Sequence, residues 1–186
     1  MKLYKELDRE IERFKKVTGI RCVPGCGQCC ASSKVETTIL EMFPLALALW
    51  RKKEGEHWLK KAQDAGLSGP CVFYQPDSSL AGKGRCCVYA WRPLLCRLFG
   101  FSAVTNKYGR NVMLTCWVVK DFSRLEYEKT QKKIGEGLPV PRTSDFASRL
   151  WYIDFTLGVK QLPINKALAE ALQRIAFSLD CSKGRI

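Results

Sequence analysis

No hydrophobic run in this chain is long enough to cross a bilayer. The most apolar stretch, Ile39–Trp50, holds 12 residues and is broken by Glu41 and Pro44, where a span needs about 20. The opening MKLYKELDREIERFKK mixes both charge signs and lacks an apolar core, so no secretory signal is expected there and no membrane insertion. Histidine is nearly absent: His57 is the only one. It reads as a surface or half-buried side chain, and no nucleophile motif accompanies it toward Ser-His-Asp chemistry. A glycine fingerprint for a nucleotide cofactor is also missing, which weighs against a self-contained methyltransferase. Repeats and low-complexity tracts are lacking too. Acid is scarce over residues 71–120, where Asp77 alone stands against seven Lys and Arg.

What the chain does have is cysteine and positive charge: ten Cys in 186 residues and a net charge of +13. At 46% hydrophobic and 26% charged, it can bury an ordinary core and needs no disulfide staples. The expected compartment is the cytoplasm, where thiols stay reduced, so clustered cysteines read first as metal ligands. Four lie within nine residues (Cys22, Cys26, Cys29, Cys30), followed by Cys71, Cys86, Cys87, Cys96, Cys116 and Cys181. Two accounts compete for the charge. A basic chain suggests nucleic acid as a partner, but the basic groups outside 71–120 are evenly spread and make no dedicated footprint. Four thiolates around a divalent ion or an iron–sulfur core leave a local charge near −2, which Arg85, Arg92 and Arg97 would balance. The second account is preferred, and nucleic acid is not the expected partner.

The pattern predicts a mainly α fold with a small β segment: a metal-stapled cysteine-cluster domain packed on helices. Leu3, Leu7, Ile11, Phe14 and Val17 recur at helical spacing up to Thr18-Gly19. Thr38-x-x-Glu41 makes a capping box opening a helix toward Lys52. A shorter helix is expected over Glu56–Ala65. CVFY and CCVYAW are β-prone, with a loop at Asp77–Gly84 between them. Pro93 starts a helical stretch, and FSAVT-NKYGR-NVMLTCWVV reads as a hairpin turning at Asn106–Gly109. Helices are expected at Phe122–Ile134, Ser144–Leu157 and Pro163–Leu179. The whole is taken as one domain, 1–186, with a cysteine-cluster core at about 20–120 and a helical part at about 121–186.

Thiols packed into a glycine-containing loop can turn sulfurs and backbone amides toward one point. Gly25 and Gly27 flank Cys26 and permit the dihedrals of such a wrap. Cys26-x-x-Cys29 has the gap found in zinc knuckles and cluster loops alike. Cys29 and Cys30 are adjacent, so they need not serve the same centre. Setting aside Cys181 and one of Cys86 and Cys87 leaves eight cysteines, or two tetrads. Structural zinc favours two paired knuckles, and only Cys26/Cys29 makes one. A three-cysteine loop with distant ligands suits an iron–sulfur cluster, of the [4Fe–4S] kind, better than zinc. The Cys22-x3-Cys26-x2-Cys29 spacing also occurs in radical S-adenosylmethionine enzymes, but their strand–helix barrel is not written here. Tyr89, Trp91, Phe99, Phe101 and Trp117 are read as shielding and core rather than as base-stacking platforms.

CVPGCGQCC, the Cys-x-Phe piece at Cys71, and GRCCVYAWRPLLCRLFGF together resemble the YkgJ-type CxxCxxCC cysteine-cluster proteins, described as zinc- or iron-chelating. In the last block Cys86, Val88, Tyr89, Arg92, Pro93, Cys96 and Arg97 fall into place, while Cys87 occupies a non-cysteine position. The gap from Cys22 to Cys26 is one residue longer than the pattern. The resemblance covers about residues 20–120 and implies a bound metal centre. The ligands it and the count point to are Cys22, Cys26, Cys29, Cys30, Cys71, Cys86, Cys96 and Cys116, with Arg92 and Arg97 for charge balance. The expected function is metal binding, as an iron–sulfur cluster or zinc. The alternatives are an enzyme using that centre for redox chemistry or protein modification, since the region is also similar to part of flagellin lysine N-methylases, and a zinc-stabilised nucleic-acid module. A protein partner or substrate would follow from the enzyme reading.

Overall fold

A computed structural model describes residues 2–77 and 83–183. The elements begin with α1 (Lys2–Thr18), α2 (Gln28–Ala31), β1 (Glu36–Thr37), α3 (Ile39–Arg51) and α4 (Gly55–Asp64). The middle holds β2 (Tyr74–Pro76), β3 (Gly84–Cys86), a 3-10 turn (Tyr89–Trp91), α5 (Leu94–Leu98), β4 (Ser102–Thr105) and β5 (Asn111–Leu114). Then come α6 (Trp117–Phe122), α7 (Arg124–Gly135), α8 (Thr143–Ile153), α9 (Phe155–Gly158), β6 (Leu162–Pro163) and α10 (Ile164–Lys183). Strands pair two by two, β1 with β6, β2 with β3 and β4 with β5, all antiparallel. The class is mainly α with small β pieces, as expected. No helix among the described residues is long and apolar enough to cross a membrane.

The chain gathers into two compact units, each made of two stretches. One comprises the residues up to Cys26 with Leu94–Arg149; the other comprises Gly27–Pro93 with the residues from Leu150 onward. The regions 20–120 and 121–186 therefore each contribute to both.

In the first unit, α1 buries Tyr4, Leu7, Ile11 and Phe14, and it packs on α5 and α7. Arg97 on α5 donates through Nη1 to both Asp8 carboxylate oxygens at 2.7 Å and lies over the Tyr4 ring. That cross-link is nearly buried on the arginine side and half-exposed on the aspartate side. The β4–β5 hairpin turns at Asn106–Gly109, where Gly109 has φ +75° and the Asn106 side chain accepts from the Tyr108 and Arg110 amides. Beyond Leu114 the expected strand does not continue: Trp117–Phe122 is helical, and a break at Ser123 separates it from α7.

In the second unit, α10 packs along α3 and α4. Leu45, Ala46, Leu168, Ala171 and Leu172 are essentially sealed from solvent. Both bonds of the Thr38–Glu41 capping box are present at the start of α3. That helix ends with the Glu54 amide reaching back to the Leu49 carbonyl, 2.9 Å, which puts Lys53 at φ +62°, a conformation glycine takes more readily. The Trp50 indole covers Gly55 and donates to the Leu172 carbonyl at 2.9 Å. The helix expected over Ser144–Leu157 is broken at Asp154, whose carboxylate accepts from the Leu157 amide and opens α9 as its cap.

Candidate metal centre

The cysteines of the second unit come together because two glycines let the backbone close up. Gly27, the cap of α2, and Gly84, the first residue of β3, both lie under the Tyr74 ring, and a Cβ on either would collide with it. Gly27 has φ −110°, so its role is close approach rather than the unusual dihedral expected of it; Gly25, at φ +70°, meets that expectation. The Gly27 carbonyl accepts from the Cys30 and Ala31 amides at 2.9 Å, winding Cys29 and Cys30 into one turn beside β3. The β2–β3 register sets Tyr74 opposite Cys86. Of the expected Asp77–Gly84 loop, residues 78–82 lie outside the described residues, and Gly84 belongs to β3.

Cys71 enters from a different direction. Its amide donates to the Cys30 carbonyl at 3.2 Å. The buried Asn165, in the first turn of α10, brackets it: Nδ2 donates to the Pro70 carbonyl at 3.0 Å and Oδ1 accepts from the Val72 amide at 3.1 Å. Nothing in the sequence marks Asn165, because its partners lie more than ninety residues away.

The sulfurs interact. Cys30 stands within hydrogen-bonding reach of both Cys29 and Cys86. It acts as the donor, so its own thiol is pushed strongly up while its two acceptors fall. The Cys30 hydrogen bond, helped by the Arg92 guanidinium, lowers Cys29 to about 6. The same bond, with the Val88 amide and Arg92, lowers Cys86 to about 7. Burial pushes Cys71 up to about 12, against a hydrogen bond from the Phe73 amide. Cys71 and Cys86 thus each receive an amide from the residue two positions on, the arrangement that stabilises thiolate charge around a metal. Cys87 is also close: Cys86 and Cys87 both act electrostatically on Cys71. In all, five sulfurs of one unit share a neighbourhood.

Among the described residues, no group of three or more His, Cys, Asp or Glu side chains is arranged so that it could hold a metal ion as it stands. The donor set nevertheless fits a thiophilic ion: thiolates at ~2.3 Å from zinc stand ~3.8 Å from one another, a hydrogen-bonding separation for sulfur. A cation would have to displace the thiol protons and draw these sulfurs closer around itself.

Of the predicted ligands, Cys29, Cys30, Cys71 and Cys86 are brought together in this way. Cys22, Cys26, Cys96 and Cys116 belong to the other unit. There Cys22 is exposed and the rest are half-buried. Cys26 closes a tight turn onto the Val23 carbonyl at 3.1 Å, Cys96 rides on α5, and Cys116 precedes α6 without capping it. Arg92 helps to lower the Cys29 and Cys86 thiols and is anchored by its Nε bond to the Tyr89 carbonyl, 3.2 Å, and by stacking on that ring. Arg97 makes its strongest described contact with Asp8. Tyr89 and Trp117 are exposed rather than shielding, whereas Phe101 is core. His57 is exposed.

Residues 21–131 match the family model of CxxCxxCC, whose description reads "Putative zinc- or iron-chelating domain". No curated protein and no solved structure matches the chain. The family model runs over more than half of the 186 residues and over every cysteine but Cys181; the chain belongs to the CxxCxxCC family.

Proposed function

We propose that the second unit holds a metal centre on Cys29, Cys30, Cys71 and Cys86, and that binding this metal is the chain's function. The observation behind it is that α2, carrying Cys29 and Cys30, packs on β3, carrying Cys86, where the Tyr74 ring lies on Gly27 and Gly84, while the Cys71 amide donates to the Cys30 carbonyl at 3.2 Å. Such close sulfurs suit a single ion, zinc or ferrous iron, better than a cubane, which spreads its four thiolates around a larger core. This shifts the balance away from the iron–sulfur cluster that the sequence spacing favoured. The ion would supply the cross-link of this loop-rich end, while Arg92 would offset the surplus thiolate charge. Cys22, Cys26, Cys96 and Cys116, four candidate ligands sharing the other unit, are proposed as a second set. The cytoplasm is the compartment in which such thiols stay reduced.

Metal analysis of the anaerobically purified chain tests this. The expected result is colourless protein carrying zinc, or ferrous iron without the broad cluster band near 400 nm, and a Cys30→Ala variant that loses one equivalent. A second equivalent that depends on Cys96 supports the second set. Wild-type protein that stays folded and metal-free when supplied with zinc and iron overturns the reading.

A further inference from the structure

We propose that the outward face of α1 is a docking surface for the phosphate backbone of a nucleic-acid duplex, bound without regard to base sequence. The inference is independent of the metal centre and lies wholly within the first unit.

The helix sorts what the sequence mixes. Residues 1–20 hold six Lys and Arg against four Asp and Glu, interleaved along the chain. Wound into an α-helix, Lys2, Lys5, Arg9, Arg13 and Lys16 fall within about 80° of arc. The buried Tyr4, Leu7, Ile11 and Phe14 take the opposite side, as an amphipathic helix requires. All five cations are exposed. The even spread of basic groups expected outside 71–120 therefore does not hold for α1. Its cations stand in one row, about 21 Å long at the helical rise.

The acids that would neutralise the row are committed elsewhere. Asp8 is held by Arg97 at 2.7 Å, Glu12 by Lys15 at 2.8 Å, and Glu6 by Arg149. Glu10, the fourth, lies about 100° around the helix from the middle of the row. No ion pair among the described residues engages Lys2, Lys5, Arg9, Arg13 or Lys16. The helix thus spends most of its negative charge on pairs and leaves five positive side chains facing solvent.

Three features choose the occupant. Successive cations are three or four residues apart, about 4.5–6 Å along the axis. Such a row meets a line of phosphates one cation at a time, where a single small anion would use only one or two. Among the described residues of α1, Val17 at the end of the row is the only exposed large apolar side chain. A helix that settles into a bilayer surface needs an apolar face there, so a lipid surface is disfavoured. The aromatic platforms that hold single strands are missing from this face as well, since Tyr4 and Phe14 are buried. What fits is a duplex gripped through its phosphates, contacts that position a protein but carry no sequence information.

The test uses the full chain and a short fluorescein-labelled duplex of arbitrary sequence, read by anisotropy across a salt series. Neutralising five phosphates should give a slope of log affinity against log salt near −4.5, about 500-fold for a fourfold rise in salt. The triple variant Lys5→Gln, Arg9→Gln, Arg13→Gln should flatten the slope to about −1.8. Arg9→Gln alone should flatten it by about 0.9, which keeps the proposal falsifiable if the triple variant unfolds. A second triple variant, Lys52→Gln, Lys60→Gln, Lys166→Gln, removes the same charge from exposed positions of the other unit and should bind as wild type does. A duplex left unbound at low salt, or an unchanged slope in the row variants, overturns the proposal. An equal loss in the second triple variant overturns it too, because net charge alone would then account for binding. Vesicles of phosphatidylserine and phosphatidylcholine are the competing probe: weaker binding than to duplex supports the proposal. Tighter binding to vesicles, lost with the same row, overturns it in favour of a lipid surface.

Discussion

The two ends of the second unit hold their shape by different means. Where α3, α4 and α10 meet, the chain buries leucine and alanine almost completely, and a capping box and an indole-to-carbonyl bond close the edges. At the cysteine end, α2 and the 3-10 turn bury no residue at all, and the buried side chains there are chiefly Cys71 and Phe73. The first end has enough apolar surface to fold by exclusion of water. The second is mostly backbone, sulfur and charge. The difference teaches that a short stretch with little to bury needs another source of cohesion, which a thiophilic ion on the proposed four thiolates would supply.

The largest effect that can break this comparison is metal removal. Chelation of the loaded chain should cost the cysteine end most of its protection while α3 and α10 stay protected, since structural zinc contributes about 10 kcal/mol or more in small metal-folded domains. Hydrogen exchange read by mass spectrometry over residues 27–37 and 71–93 checks it. Equal loss in α3 and α10 would show that the ends are not separate. Next in size is Leu168→Ala on the sealed face of α10, expected to cost about 2–5 kcal/mol with or without metal. Denaturant titration of both forms measures it, and a cost that appears in only one form would contradict the division. Asn165→Leu should be smaller. It leaves the Pro70 carbonyl and the Val72 amide without their side-chain partner, a loss of about 1–3 kcal/mol, together with weaker metal binding because Cys71 is no longer held. Lys53→Gly, at the left-handed position after α3, should stabilise by at most about 1 kcal/mol. It should raise the melting temperature without touching metal content, a control confined to the helical end.

Much of the framework of both units was legible from local signals. The apolar spacing of α1, the Thr38–Glu41 box and the Asn106–Gly109 turn act within a few residues, and each is found where the pattern put it. Errors arose where a distant or competing bond decides. CCVYAW has strand-forming residues, yet after Cys86 the chain turns, with the Val88 amide directed to the Cys86 sulfur. Asp154 looks like one more helical position until its carboxylate caps the next segment. Trp117 extends a β-prone run but begins a helix. At the site, the cysteines were visible by type and spacing. Which of them meet was not, because that depends on Tyr74 resting on two glycines and on Asn165 reaching across ninety residues.

That reach has a thermodynamic consequence. Asn165 belongs to α10 by its backbone and to Cys71 by its side chain, so the first turn of the longest helix and the buried sulfur rest on a single amide group. Coupling of this kind is reciprocal: whatever factor metal adds to the closing equilibrium of that turn, an intact turn adds to metal affinity. The metal-free chain should therefore open its α10 start more often, and a protease that cuts only opened backbone would sample it in proportion. Cleavage near Leu162–Ile164 would then report the filling of the centre, and chains left without metal would be the first degraded.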